Sequence, residues 1–297
     1  MSKALAEPLT VVSYNVENLF HPENDSITDD DEWTEEGERH WSFTRYNRKV
    51  ENIARVLTNI GEWDGVDVVG LQETENAAVV KKLCYTLRRG EYDFVHYDSP
   101  DPRGIDVALI YKKSRIDTLS SRAIRIQRSE LRTRDILYVS ALLDKRDTLH
   151  FFVCHFPSQR SGAAESAWKR EAAKETLQQA VDSVLAVCPG ARIIVMGDMN
   201  SEDIRLTGLV DKFTNIQYPV SNFQSGTHKY QGRWSFLDHF YVSPSIDSIS
   251  DARVYDAPWI METDEKYLGL KPQRTYNGFI YQNGFSDHLP IVLTILF

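Results

Sequence analysis

Cysteine is scarce in this chain. Three residues in 297, Cys84, Cys154 and Cys188, stand far apart, which excludes a disulfide framework and a cysteine-based zinc site. They are expected to pack as small buried hydrophobes, a usage that leans towards a reducing compartment. Long apolar runs are missing too: no stretch approaches the ~20 residues that a bilayer-spanning helix needs. Met1 to Thr10 lacks the basic end and apolar stretch of a secretory signal. The expected compartment is therefore the cytoplasm, or a secreted or periplasmic location if a signal has been trimmed. Positive charge is in deficit, with 34 Lys and Arg against 43 Asp and Glu, a formal net charge of −9. That argues against tight non-specific binding of a long polyanion. It does not exclude a phosphate substrate, because carboxylates that hold a divalent cation become locally positive.

What is present is ordinary for a globular chain: 42% hydrophobic and 26% charged residues, enough for a sizeable core. The sharpest composition shift is Glu23 to Glu38, with nine acidic residues. It reads as a surface loop at about 21–40 inserted after the first strand, solvated as charge runs usually are, with a metal-binding or lid segment as the functional alternative. Val50, Ile53, Val56, Leu57 and Ile60 fall at helical spacing, so a helix is expected over about 44–60, closed by Gly61. A second is expected over 163–187, with Trp168, Leu177, Val181, Val184 and Leu185 on one side and Pro189-Gly190 as its stop. Strands are expected over 10–14, 66–71, 107–111, 136–143, 149–154, 192–196, 236–242 and 291–295. This mixture fits two packed sheets flanked by helices.

Several of these strands end in residues that bind metal or phosphate. Glu73, in Val68-Val69-Gly70-Leu71-Gln72-Glu73, is the best carboxylate for a hard divalent cation, and Asn15 is a neutral oxygen ligand or a positioner of that carboxylate. Asp198 and Asn200, two apart behind Ile193-Ile194-Val195, point to one face of an extended backbone. One can accept a proton from an attacking water while the other holds a phosphate oxygen; taken alone, the pair also reads as an Asp-x-Asn turn. His155 ends Phe151-Phe152-Val153-Cys154, and His288 closes Ser286-Asp287-His288. Either imidazole suits general acid–base work or stabilisation of developing charge, given a carboxylate or carbonyl to fix its tautomer. Asp106 and Asp238, each lodged among apolar neighbours where an unpaired charge is costly, are the candidate partners. His239 falls on the opposite face of its strand from Asp238. Arg103 and Arg160 are the best phosphate clamps, because guanidinium meets phosphate in a bidentate way.

In this order the segments resemble the endonuclease/exonuclease/phosphatase superfamily, the group of deoxyribonuclease I, apurinic endonucleases, inositol-polyphosphate 5-phosphatases and bacterial sphingomyelinases. The resemblance runs from Asn15 to His288; Gly197-Asp198-Met199-Asn200 and Ser286-Asp287-His288-Leu289-Pro290-Ile291 are its most specific pieces. It implies an α/β fold, the four-layer α/β sandwich of two packed mixed sheets, in a single domain over 1–297. It implies a principal site for Mg²⁺ or Mn²⁺ at Asn15 and Glu73, with Asp287 at the metal or near the water. It further implies that Asp198 activates the water, Asn200 contacts the phosphate, Asp106 pairs with His155 and Asp238 pairs with His288. The best-known nucleases of the group carry a Tyr near the position of Arg103, so their detailed mechanism does not transfer directly.

The expected activity is a divalent-metal-dependent phosphodiester hydrolase, nuclease-like. The alternatives are a phosphomonoesterase or lipid phosphodiesterase of the same fold, or an inactive binding scaffold, and a monomer is expected. Substrate rests on weaker signals. The basic stretch from Lys112 to Arg134 suits either a nucleic-acid track or the charged face of an edge strand. Trp41, Tyr230 and Trp234 are candidates for stacking on a base or sugar.

Overall fold

Apolar runs such as Phe151–Cys154 and Ile193–Met196 do not alternate, which is the pattern of strands covered on both faces. The computed structural model describes residues 7–126, 128, 131–159, 162–202, 213–221 and 224–297. In it, odd and even positions of these runs meet different partners. Phe151 and Val153 join Ile194 and Met196 in one core, whereas Phe152, Cys154, Ile193 and Val195 join Leu177 and Val181 of a helix in another.

Along the chain come β1 (Leu9–Leu19), β2 (Val68–Thr74), β3 (Tyr92–His96), β4 (Asp106–Lys112), β5 (Ile116–Ile124), β6 (Ile136–Leu143), β7 (Asp147–His155), β8 (Arg192–Asp198) and β9 (Thr214–Asn215). A hairpin of β10 (His228–Tyr230) and β11 (Arg233–Ser235) leads into β12 (Asp238–Val242) and β13 (Ile249–Val254). Two more hairpins, β14 (Met261–Thr263) with β15 (Leu270–Pro272) and β16 (Tyr276–Asn277) with β17 (Ile280–Tyr281), precede β18 (Ile291–Ile295). Among the described residues there are two six-stranded sheets, ordered β13-β18-β1-β2-β4-β3 and β5-β6-β7-β8-β12-β9. Each holds one parallel pair at its centre, β1 with β2 and β7 with β8. Helices α1 (Phe43–Gly61) and α2 (Ala77–Leu87) cover the first sheet, and α3 (Ala163–Val187) covers the second. The architecture is a four-layer α/β sandwich. Among the described residues no helix is long and apolar enough to cross a membrane.

Helices α1 and α3 lie where the apolar periodicity puts them, but α2 carries too short a period to stand out. Its signals are Asn76, whose side chain accepts from the N–H groups of Ala78 and Val79, and Val79, Val80, Leu83 and Cys84 on one buried side. Three expectations need correcting. Gly61 has no positive φ; the helix ends through Glu62 at φ 50°, and Gly61 is small because a Cβ there would lie 2.3 Å from the Val66 nitrogen. Trp168 is on the solvent side of α3, and Cys188 is exposed. The acidic loop is solvated at most of its carboxylates, yet it is pinned. Trp33 is buried, stacked 5.0 Å from Phe20 and set edge-on to Trp41, while the Asp29 N–H bonds to Pro102 O at 2.7 Å.

Gly197 shows how tightly the two central strands of the second sheet are joined. Its φ is +142°, and a Cβ on it would sit 1.9 Å from Cys154 O. Gly197→Ala is therefore expected to cost about 3 kcal/mol or more by urea unfolding. A wild-type midpoint would mean that the β7–β8 contact is looser than described.

Candidate active site

Strand parity aims the functional side chains. His155 lies two residues beyond Val153, Asp198 two beyond Met196, and Asp238 two before Phe240, so all three project towards the core between the sheets. Register then brings them together. His155 stands opposite Asp198 across the parallel pair, and Asp238 opposite Asp198 across the antiparallel one. From the facing sheet, β1 and β2 run parallel and deliver Asn15 and Glu73 at the same end. His239, of opposite parity, stacks 5.9 Å from Tyr241, with Nε2 near the Ser201 and Phe236 carbonyls.

Asp198 is the meeting point. Its Oδ2 accepts from Asn15 Nδ2 at 3.0 Å, and its Oδ1 from the Asn200 N–H at 2.8 Å. His155 Nε2 and His288 Nε2 lie 3.7 and 3.8 Å from Oδ2. Burial pushes the Asp198 carboxyl above the usual range, and Asp238 adds to this, while His288 opposes it. His288 Nδ1 is 2.8 Å from Asp238 Oδ2, the pairing that the family resemblance implied. Burial disfavours the charged imidazole, but Asp238 and Asp198 outweigh it and raise the His288 pKa. Ser286 ties this end to β1: its hydroxyl donates to Asn15 O at 2.7 Å and accepts from the His288 N–H at 3.0 Å. Glu73 accepts from the Asn18 N–H at 2.9 Å through Oε2, and its Oε1 lies 3.8 Å from His155 Nε2. Glu17, Asn18, Glu73 and Asn200 all have φ between 52° and 66°, a left-handed conformation that non-glycine residues adopt at a cost and that clusters at functional sites.

A second layer behind these residues was not read from the sequence. Glu17, buried, accepts from Arg274 Nε at 3.1 Å and from the Thr275 N–H at 2.6 Å. Lys49 Nζ lies 4.0 Å from Glu17 and donates to Thr275 Oγ1 and to Phe285 O. Burial lowers the Lys49 ammonium to about 8, against the pull of Glu17 and Asp287. Arg274 Nη2 also reaches Asp287 at 2.8 Å. Burial resists ionisation of Asp287, but Arg274, His288, His228 and Lys49 more than offset that and lower its pKa. His228 packs on His288 at 4.7 Å, and burial with the His288 charge lowers its pKa to about 4. Lys49 had a legible signal, since it sits on the buried stripe of α1 with Tyr46, Val50 and Ile53.

A sequence profile of the Endonuclease/Exonuclease/phosphatase family matches residues 10–296. The chain belongs to that family. No curated protein matches it in sequence. Among solved structures it is similar to a truncated TDP2 from Caenorhabditis elegans, with TM-score 0.65, 19% identity, and 98% of each chain covered. It is also similar to a mannosyl-6-phosphatase from Bacteroides thetaiotaomicron, with TM-score 0.63, 16% identity, and 97% of this chain and 100% of that one covered. A functionally unknown conserved protein from Enterococcus faecalis V583 follows, with TM-score 0.58, 15% identity, and 97% and 100% covered. At such identities the likeness is one of fold.

Against the family expectation, Asp106 is not bonded to His155. Its Oδ1 accepts from Ser99 N–H and Oγ, and its Oδ2 faces His96 Nε2 at 3.5 Å. The reason is local: His96 ends β3 directly beside β4, opposite Ala108. His155 instead turns towards Glu73 and Asp198. Arg103 Nε lies 3.6 Å from Asp101, a carboxylate that buried Arg134 also holds at 2.9 Å. Arg134 donates through its other terminal nitrogen to Phe156 O, which also accepts from Asn200 Nδ2. Arg160 lies outside the described residues.

Glu75, just beyond β2, gives a measurable pH signature. Burial raises its carboxyl to about 8, helped by Asp30 and Asp25 and opposed by the His21 N–H. The folded state thus binds a proton more tightly than the unfolded chain. Its contribution is complete below the unfolded value near 4.5 and is lost as pH rises through about 8. With chelator present, the unfolding temperature should fall from pH 5 to pH 8.5, and Glu75→Gln should flatten that slope. An equal slope in the variant contradicts the assignment.

Proposed function

We propose that this chain is a divalent-metal-dependent phosphodiester hydrolase, nuclease-like in its chemistry. The observation that carries the reading is the convergence of His155, His288 and Asn15 on the buried Asp198 carboxylate. The donor set fits a hard cation. Glu73, Asn15 and Asp287 offer oxygen only, and Glu73 keeps one carboxylate oxygen beyond hydrogen-bond range of His155. Asp287 is engaged by Arg274, so Glu73 and Asn15 would hold Mg²⁺ or Mn²⁺ with water completing the shell. Such an ion, when bound, neutralises phosphoryl oxygens and acidifies a ligated water.

The residues of the chain have separate tasks in this reading. Asp198, with a raised pKa, accepts the proton of the attacking water. Asn200 holds a phosphoryl oxygen. His288, charged and fixed by Asp238, donates to the oxygen on which charge develops, and His155 does so from the Glu73 side. Arg103 grips the phosphate, aimed by Asp101 and Arg134, and Arg160 is proposed as its partner.

A second reading, a small phosphomonoester or phospholipid head group as substrate, is favoured by the state of the basic stretch. Arg115 sits at the far end of the strands, bound to Asp67 and Asp144. Near the site end, Arg125 faces Asp135 at 3.6 Å, Arg128 meets Glu175 at 2.8 Å and Arg122 lies over Tyr138. Their charge is largely matched, and β5 is an edge strand. Trp41 is fully buried, with Nε1 donating to Phe20 O, so it stacks on no ligand.

The test is hydrolysis of plasmid DNA, RNA, a bis-aryl phosphodiester, sphingomyelin and inositol phosphates, with and without chelator. Excess chelator and Glu73→Gln should each abolish most turnover while the fold survives. His155→Ala and His288→Ala should each cost ~10²–10⁴ in rate on every accepted substrate. Charge reversal at Arg125 and Arg128 should weaken polymeric substrates alone; if it leaves DNA and RNA cleavage unchanged at low salt, the small-substrate reading prevails. No turnover of any phosphoester leaves the scaffold reading.

A further inference from the structure

Asp106, displaced from its expected role, and His96 beside it lie in a built environment of their own. His96 is 2% exposed at its side chain, and its Nε2 is buried without a hydrogen-bond partner. That nitrogen faces Asp106 Oδ2 at 3.5 Å, and the Nδ1 of the same ring lies 3.8 Å from Asp98 Oδ1. One donor atom from each of the three residues can be chosen so that all lie within 4.8 Å of one another. Asp106 and Asp135 line a cavity of about 10 Å³, room for a single water-sized particle. Asp135 Oδ1 is buried there without a hydrogen bond, facing Arg125 Nε at 3.6 Å. His96 and Asp98 do not line that cavity and Asp135 is answered by Arg125, but a buried imidazole nitrogen without a partner beside the buried Asp106 carboxylate is costly unless something joins the two.

We propose that His96, Asp98 and Asp106 form a second cation site, separate from Asn15 and Glu73, that takes a zinc-class dication through one imidazole nitrogen and two carboxylates. Three protein donors with mixed nitrogen and oxygen suit Zn²⁺ better than Mg²⁺, which prefers oxygen throughout. Zinc bonds of ~2.0–2.1 Å require donors to close in by small rotations, and Asp98, exposed at its side chain, is free to swing onto an ion seated by the other two. The site joins the end of β3 to the start of β4 across the segment that carries Asp101 and Arg103. A bound ion would fix that segment from outside the catalytic cluster.

The experiment uses the full chain, dialysed against chelator and then held in saturating Mg²⁺ so that the oxygen-only site is occupied. Zn²⁺ is titrated calorimetrically and unfolding is followed in parallel. The wild type should take one Zn²⁺ per chain and gain roughly 5 °C or more in Tm at a hundredfold excess over Kd. His96→Gln should lose both effects, and Asp98→Asn should weaken binding at least about tenfold. Asp98→Asn changes an exposed side chain, so it keeps the test open even if His96→Gln folds poorly. The proposal is overturned if the wild type takes no Zn²⁺, which leaves a plain His96–Asp106 hydrogen bond, or if both variants bind it unchanged. None of these readouts depends on turnover.

Discussion

One buried carboxylate, at the seam between two sheets, sets the terms for the rest of this structure. Asp198 can stay deep in the core only because both sheets donate to it: Asn15 from the first, and the Asn200 N–H beside it in the second. A buried carboxylate without such partners is costly, and breaking a buried charge network typically costs several kcal/mol. The strained backbone at Glu17, Asn18, Glu73 and Asn200 follows from the same demand. Strands must turn sharply at one end of the sandwich to aim short side chains at a common point. Burial there also makes protonation state the controlling variable. Asp198 is pushed up and His288 is pushed up with it, so the two groups proposed as proton acceptor and donor sit within 3.8 Å of each other.

The electrostatics form two shells. Inside, carboxylates from both sheets gather with two histidines. Outside, Lys49 and Arg274 grip Glu17 and Asp287 and keep the acidic cluster from repelling itself apart. The chain is acidic overall, at −9, and cations near the site such as Lys49, Arg103, Arg134 and Arg274 face carboxylates. Such a surface offers little free positive field to a long polyanion, whereas a divalent ion at Glu73 would supply local charge where a phosphate lands.

Much of the site was legible because strand parity is rigid. Asp238 and His239 are neighbours, yet a period of two assigns one to the seam and the other to the outer layer, as found. The pairing of His288 with Asp238 came from the family resemblance, since His288 lies outside any strand. Asp106 shows the limit: its position at the head of β4 was read correctly, but its partner was not. His96 lies on a neighbouring strand whose pairing no local pattern announces. Glu17 and Arg274 were missed because each has meaning only beside the other, 257 residues apart. The strands and two packed sheets were legible through continuous apolar runs, and the family resemblance made them a four-layer sandwich; α2 was not legible, because eleven residues carry too few turns for a period to emerge.

The central claim is that the Asp198 cluster performs phosphoester chemistry and is more than a stabilising knot of charge. The most direct measurement is turnover of a bis-aryl phosphodiester by Asp198→Asn in saturating Mg²⁺, alongside its unfolding midpoint. The account predicts a loss of ~10²–10⁴ in kcat, the magnitude typical of a removed general base, with a folded, cooperatively unfolding protein. Wild-type turnover by Asp198→Asn would contradict it.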